Sequence, residues 1–343
     1  TFGTKASEPV NEDMYFRAED EELMLVSFIG WWSRTQPDII TGWNVAGFDI
    51  PYLVNRLVKV LGEGIANKLS PFHNRTKNVF TETKLAGDDT SYRILGITVY
   101  DYLELYKKFT LGSRESYSLD FICQYELGVG KIEFEGDLMN LYNTDHQKYI
   151  EYNIHDVRLV EMLDEKMAFL QQAIAVAYTG KVKFHEIFGQ VKWWDTHIYN
   201  ELLLKNIQIP PQPATPNHEG IEGAFVKDAR PALYKWLMAV DLTSLYPSIL
   251  MAGNMSPETL VVPGSGSIIA NLIKMARDTS DLKSKNLTLL ANGSQYKRDV
   301  IGFMPTITEN MFKKRKALKK KMLAVGSEIE LITAECARRA KLT

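Results

Sequence analysis

The chain has 343 residues, is 45% apolar and 24% charged, and carries a formal net charge of −2. That length leaves room for two or three domains, and no apolar run approaches the ~20 residues of a membrane-spanning helix. Cys123 and Cys336 are the only cysteines and the six histidines are scattered, which argues against a disulfide framework or a structural zinc site and for a reducing compartment.

Thr1 opens the chain without the charged-then-apolar layout of a signal peptide, the start expected of a piece of something longer. Residues 20–34 are predicted to form an amphipathic helix around Leu23, Leu25, Phe28 and Trp31, and 37–43 a short buried strand with its turn. Helical spacing follows from Pro51 to Leu61. Residues 77–100 alternate as a β-hairpin would, with Gly87-Asp88-Asp89 as the turn and Tyr92 to Tyr100 as the return strand. A helix is expected near Asp101 to Lys107, and others over most of 144–177 and 187–205. The proline-rich stretch Ile209 to Pro216 predicts a linker. Beyond it lie an expected strand near Gly223 to Lys227, a buried strand over Trp236 to Val240, and a helix from Pro247. Asn292-Gly293 is a hairpin-type turn signal. Pro305 is expected to open a long helix that Gly326 ends. Ser327 with Glu330 would then cap a second helix, and two helices joined so briefly should lie antiparallel.

Four constellations carry chemistry. Asp241-Leu242-Thr243-Ser244-Leu245-Tyr246-Pro247 follows the apolar run 236–240. A carboxylate at the end of a buried strand can hold a cation, a tight turn can offer N–H groups to phosphates, and a tyrosine ring can lie against a sugar. Asp49 follows the strand at 37–43 and is either a second cation-binding carboxylate or an N-cap aspartate. Tyr152 and Asp156 share one helical face at i and i+4, as a site pair or a structural surface pair. His155 reads as a surface residue. Arg315 and Lys319 share a face within the basic run 313–321, suited to phosphate oxygens or simply solvated.

Taken together, these residues resemble the family B DNA polymerases, and within them the replicative enzymes of T-even-type bacteriophages. Asp241 to Ile249 is similar to that family's first palm motif. Thr41 to Asn44 with Phe48 to Tyr52 resembles the second motif of its 3′–5′ exonuclease, and Tyr152 to Asp156 the third. Gly223-Ala224-Phe225-Val226-Lys227 resembles the segment joining the two modules, although Ile221 stands where tyrosine is usual. Lys314 to Lys316 with Lys319 resembles the first fingers helix.

The resemblance implies a multidomain α/β and α+β protein. Residues 1–169 would be a ribonuclease-H-like exonuclease domain lacking its first strands, and 170–212 a helical segment and linker returning to an absent N-terminal domain. Residues 213–301 would be the first part of a palm, and 302–343 the first part of a helical fingers hairpin. The implied activity is template-directed DNA synthesis with proofreading, using two Mg²⁺ (or Mn²⁺) ions per active site. Asp241 and the Leu242 carbonyl would hold the polymerase ions, and the Ser244 and Leu245 backbone the triphosphate. Tyr246 would be the sugar gate against a 2′-hydroxyl, with Arg315 and Lys319 gripping the triphosphate. Asp49, Asp156 and Tyr152 would form the exonuclease site beside Asn44 and Phe48, and Gly223 and Ala224 would contact DNA. The hairpin at 77–100 would help to part primer from template. Implied partners are primer-template DNA, deoxynucleoside triphosphates, the remaining polymerase segments in the same or another chain, and a sliding clamp, with no membrane, in the cytoplasm of an infected bacterial host.

The family's first exonuclease motif has no match before Asp49, since Asp20-Glu21-Glu22 opens a helix-like stretch. The second fingers motif and the palm Asp-Thr-Asp would lie beyond Thr343. This polypeptide alone is therefore expected to be inactive, or nearly so. The rival readings are a nuclease-only repair protein and a non-catalytic nucleic-acid-binding or split-polymerase subunit.

Overall fold

A computed structural model describes residues 1–8, 10, 15–73, 75–79, 90–209, 227–242, 244–264, 270–273 and 280–340. The chain divides into two compact units, Thr1–Glu219 and Gly220–Thr343.

The first unit is built around two parallel strands, β1 (Ile39–Gly42) and β2 (Thr98–Asp101), paired in register so that Gly42 faces Asp101. Successive side chains of a strand point to opposite faces. Accordingly Ile39 and Tyr100 join one core while Ile40 and Val99 join the other. On one side α1 (Glu21–Thr35) and α2 (Asp49–Leu61) bury Leu25, Ile29, Trp32, Val54 and Leu57. On the other, Tyr102, Leu105, Ile122, Leu159, Leu163 and Ala173 pack from α3 (Tyr102–Phe109), α4 (Leu119–Leu127), α5 (His146–Met167) and α6 (Phe169–Gly180). Burial at 25 cal/mol per Å² makes each fully buried Leu or Ile worth about 2 kcal/mol, so these two apolar layers hold the strand pair rigidly between them. α7 (Gln190–Leu204) follows, its Trp193 donating from Nε1 to the Val176 carbonyl at 3.0 Å.

Helix boundaries follow local chemistry. Asp20 caps α1 by accepting from the Leu23 N–H at 2.8 Å, and Ser118 caps α4 through the Phe121 N–H at 3.3 Å. The helix expected over 144–177 is broken at Asp145, where a helix over Leu138–Thr144 ends, and at Ala168, whose φ of 53° separates α5 from α6. The expected hairpin forms between Arg75–Val79 and Thr90–Ile94, but its turn at 87–89 lies outside the described residues. Its return strand does not run on to Tyr100. Gly96, at φ +90°, sits against Pro71 and Phe72 where a Cβ would meet Pro71 at 2.6 Å. The chain turns there, and residues 98–101 join β1 instead.

In the second unit, α8 (Leu245–Gly253) precedes an antiparallel sheet of Leu260–Val262, Gln295–Lys297 and Leu287–Leu289, in that spatial order. The turn at Asn292-Gly293 forms as expected, with Gly293 at φ +87°. Two expectations fail here. Residues 236–240 form no strand: Trp236 is fully exposed and Leu237, Met238 and Val240 are nearly so. An apolar run becomes a strand only when a neighbour takes its N–H and C=O groups, and the three-stranded sheet pairs within itself. The fingers hairpin is also absent: Phe303–Ala340 is one continuous helix of 38 residues. Gly326 stays helical within it, and Ser327 donates back to the Leu323 carbonyl at 3.1 Å instead of capping. A mid-helix glycine costs about 1 kcal/mol relative to alanine, too little to stop a run of strong helix formers on both sides. The expected linker over 210–216 and the strand near 223–227 lie outside the described residues, save Lys227.

Candidate functional site

In an open parallel arrangement, ligands bind beyond the carboxyl ends of the strands. β1 and β2 end together at Gly42 and Asp101, and the loop 43–48 leaves β1 there. Asp101 organises this edge. It is buried, and one carboxylate oxygen accepts from the Asn44 and Leu103 N–H groups while the other accepts from the Ala46 N–H, all at 3.0 Å. Burial pushes its carboxyl up against the pull of those bonds. Asn44 adopts φ 59°, and its carbonyl accepts from Gly47 and Phe48. A Cβ at Gly47 would come within 2.7 Å of the Asn44 side-chain oxygen, so a larger residue there would displace that side chain.

The loop delivers Asp49 as the first residue of α2. Phe48 is the N-cap position and Asp49 makes no side-chain cap, so the N-cap reading of this aspartate does not hold. Asp49 is open to solvent along the cleft. The protein packed around it still raises its carboxyl above the usual aspartate range, and the Asp101 charge adds to the shift. Phe48 is 64% exposed and stacks on Tyr52, offering an aromatic face to the same opening.

α5 supplies the opposite wall. Lys131 donates from Nζ to Asp156 Oδ2 at 2.6 Å and to the Tyr152 hydroxyl oxygen at 3.0 Å. Burial pulls the lysine down, but those two partners outweigh it and hold the ammonium above the ordinary lysine value. Asp156 Oδ1 is buried and has no hydrogen-bond partner among the described residues. Two contacts hold the loop that carries Lys131. Asp120 accepts from the Lys131 N–H at 2.8 Å, and His155 Nε2 lies 2.9 Å from the Gly130 carbonyl. A Cβ at Gly130 would strike Gln124 and Asp120. His155 is thus not the surface residue expected; it is partly buried and braces this loop.

An open cleft of about 1610 Å³ joins these walls, with Asn44, Phe48, Asp49, Lys131, Asn153 and Asp156 among its lining. Asp120, Glu161, Asp164 and Glu165 line it too, against Lys131 alone among the described cations there. Such a cleft repels a phosphate ester unless cations intervene. The hard oxygens of Asp49 and Asp156, one of them buried without a partner, suit a divalent ion. Among the described residues, no group of three or more His, Cys, Asp or Glu side chains converges on one point.

The second unit gathers less. Asp241 and Leu242 are exposed in a segment without helix or strand, Ser244 takes φ 52°, and Leu245 begins α8. Tyr246 is 80% exposed at the start of that helix. Arg315 and Lys319 lie one turn apart on the exposed middle of Phe303–Ala340. Gly223 and Ala224 fall outside the described residues.

Sequence reasoning missed Lys131, Asp101 and Asp120. Asp101 meets the same criterion used for Asp241, a carboxylate closing an apolar strand, and its strand forms. Lys131 had only the weak signal of Gly128-Val129-Gly130 before it.

Comparison with known proteins bears on both units. Residues 3–122 match the family described as DNA polymerase family B, exonuclease domain, and residues 190–335 match DNA polymerase family B. The chain is 37% identical over 327 residues to the DNA-directed DNA polymerase of Escherichia phage RB69, covering 95% of this chain and 35% of that one. It is 34% identical over 320 residues to the DNA-directed DNA polymerase of Enterobacteria phage T4, covering 93% and 35%. The DNA polymerase delta catalytic subunit of Candida albicans is 29% identical over 324 residues, covering 89% and 29%. The chain therefore spans about a third of the length of these relatives.

Proposed function

The chain belongs to the family B DNA polymerases, and we propose that it carries the 3′–5′ proofreading site and the opening part of the synthesis site of a replicative enzyme. The observation that supports this most is the convergence of Asn44, Phe48, Asp49 and Asp156 on one acidic cleft at the carboxyl ends of a parallel strand pair.

On this reading residues 1–169 are an exonuclease domain of ribonuclease-H-like type, 170–212 a helical segment and linker, 213–301 the start of a palm and 302–343 the start of the fingers. Asp49 and Asp156 would hold Mg²⁺ or Mn²⁺, which when bound neutralises phosphate charge and stabilises attacking and leaving oxygens. The chain's own groups do the rest. Phe48 stacks under the 3′-terminal base, a sequence-tolerant contact. The Tyr152 oxygen accepts from Lys131 and so keeps its own proton to orient the attacking water. Lys131 balances Asp156 and aims a positive charge at the cleft.

In the second unit Asp241 with the Leu242 carbonyl would bind the synthesis ions, and the Ser244 and Leu245 backbone the triphosphate. Tyr246 would exclude a 2′-hydroxyl, and Arg315 with Lys319 would grip the triphosphate. Gly223 and Ala224 would touch DNA. Asp241 has too few carboxylate companions among the described residues to assemble that centre alone. The remaining polymerase segments supply them, and the chain by itself is inactive or nearly so. Primer-template DNA, deoxynucleoside triphosphates and a sliding clamp are the partners, in the cytoplasm of an infected bacterium.

The test is 3′-end degradation and primer extension with Mg²⁺, for residues 1–343 alone and with the remaining polymerase segments added. Both activities should appear only in the second case. Robust synthesis by 1–343 alone, or none after the segments are added, overturns the reading.

A further inference from the structure

Two helices of the second unit meet at one buried amide. α8 carries Tyr246 and closes at Asn254, while Phe303–Ala340 carries Arg315 and Lys319. Asn254 is buried and left-handed at φ 51°, and its own N–H returns to the Met251 carbonyl at 3.2 Å. Its side chain reaches the segment that leads into the long helix. Nδ2 donates to the Lys297 carbonyl at 2.6 Å and to the Val300 carbonyl at 2.7 Å, and Oδ1 accepts from the Gly302 N–H at 2.9 Å. Both amide donors and the acceptor oxygen are thus used, in an orientation that only this assignment of nitrogen and oxygen satisfies.

Glu258 and Ser256 hold the first turn of the long helix. Glu258 Oε1 accepts from the Phe303 N–H at 2.6 Å, and its Oε2 accepts from the Ser256 hydroxyl at 2.6 Å. The Ser256 oxygen in turn accepts from the Met304 N–H at 3.4 Å. N–H groups at a helix start have no partner within the helix, and a negative charge there complements the helix dipole. A Cβ at Gly302 would come within 2.4 Å of the Ser256 Cβ, so the two chain segments approach closely at this joint.

The joint fixes an angle between two arms. A helix rises 1.5 Å per residue, so Tyr246 lies about 12 Å from the joint along α8 and Arg315 about 18 Å from it along the long helix. A tilt of about 10° at the joint would carry Arg315 by about 3 Å, a whole hydrogen-bond length. We propose that Asn254, assisted by Glu258, is a positioning residue for synthesis: it sets the angle at which the triphosphate grip of Arg315 and Lys319 meets the sugar gate at Tyr246. The proposal rests on the palm-and-fingers reading above. Asn254 acts only through the two helices it joins.

The test is steady-state synthesis by the enzyme completed with the remaining polymerase segments. Asn254→Gly keeps the left-handed backbone and removes only the amide. It should raise KM for deoxynucleoside triphosphates by about tenfold and lower kcat by less than about threefold, with 3′-end degradation of single-stranded DNA unchanged. Lys319→Ala should raise KM as well. Adding Asn254→Gly to it should then add little, because both act through one grip, whereas a role in stability alone would multiply the two effects. Glu258→Gln, at an exposed position, should raise KM by about threefold, and it decides the matter if Asn254→Gly does not fold. A parental KM in Asn254→Gly, or in Glu258→Gln where that variant decides, overturns the proposal while Lys319→Ala still raises KM. So does full multiplication of the Asn254 and Lys319 effects. A parental KM in Lys319→Ala overturns the grip itself, and the joint's role with it.

Discussion

Asp49 and Asp241 are alike in sequence, each a carboxylate just after an apolar run and just before a helix, yet they end in different surroundings. Asp49 follows a strand that has a neighbour. β1 and β2 stop in register, and the buried Asp101 ties the departing loop to the start of the next helix through three backbone N–H groups. Asp241 follows a run whose residues are exposed and unpaired into a sheet. A carboxylate beside an apolar run is held in place by the fold only where that run's own hydrogen bonds are taken. Charge and apolarity alone do not do this.

The sharpest way to press this comparison is to remove each carboxylate in the enzyme reconstituted with the remaining polymerase segments. Asp156→Ala should lower 3′-end degradation of single-stranded DNA by about 10³-fold or more while leaving primer extension intact. Asp241→Ala should do the reverse, and joint loss from either change would merge the two sites. Lys131→Met should follow, with degradation lowered by roughly 10²-fold, because Asp156 is left without its countercharge and Tyr152 without its anchor. Asp101→Ala strands three N–H groups and should cost unit 1 about 3 kcal/mol in urea unfolding. A cost near zero would mean that the loop is held by something else.

Acidity offers a subtler contrast. The Asp49 carboxyl is raised in the folded chain, so its charged form opposes folding at neutral pH, and that penalty is relieved as pH falls through the raised value. Asp49→Asn should therefore melt above the parent at neutral pH, with the difference closing by about pH 4. Glu21 behaves oppositely. Its hydrogen bond to Arg56 lowers its carboxyl, so its contribution is present above the usual glutamate value and fades as pH drops below it. The smallest effect belongs to Trp236→Ser, which should change the stability of residues 1–343 by less than about 0.5 kcal/mol, since the ring is fully exposed.

Much of this was legible in the sequence where local chemistry decides. The helix over 20–34 and the strand at 37–43 were placed within a residue or two of Glu21–Thr35 and Ile39–Gly42. Asp49 and Asp156, expected in one site, do line one cleft. What escaped depends on contacts distant in the chain. Lys131 meets Asp156 across 25 positions and Asp101 meets Asn44 across 57, and neither pairing leaves a periodic trace. The break at Gly96 depends on Pro71 and Phe72, which are remote in sequence. The capping signals at Gly326 and Ser327 were sound locally, but the surrounding helix overrode them.

The brace between His155 and Gly130 ties one wall of the cleft to the loop that carries Lys131. One turn of α5 presents Tyr152 and Asp156, and the same turn, through an imidazole, fixes the height of the loop that brings Lys131 to both. Anion, phenol and ammonium are thus fixed to one another through α5 rather than through the far wall of the cleft.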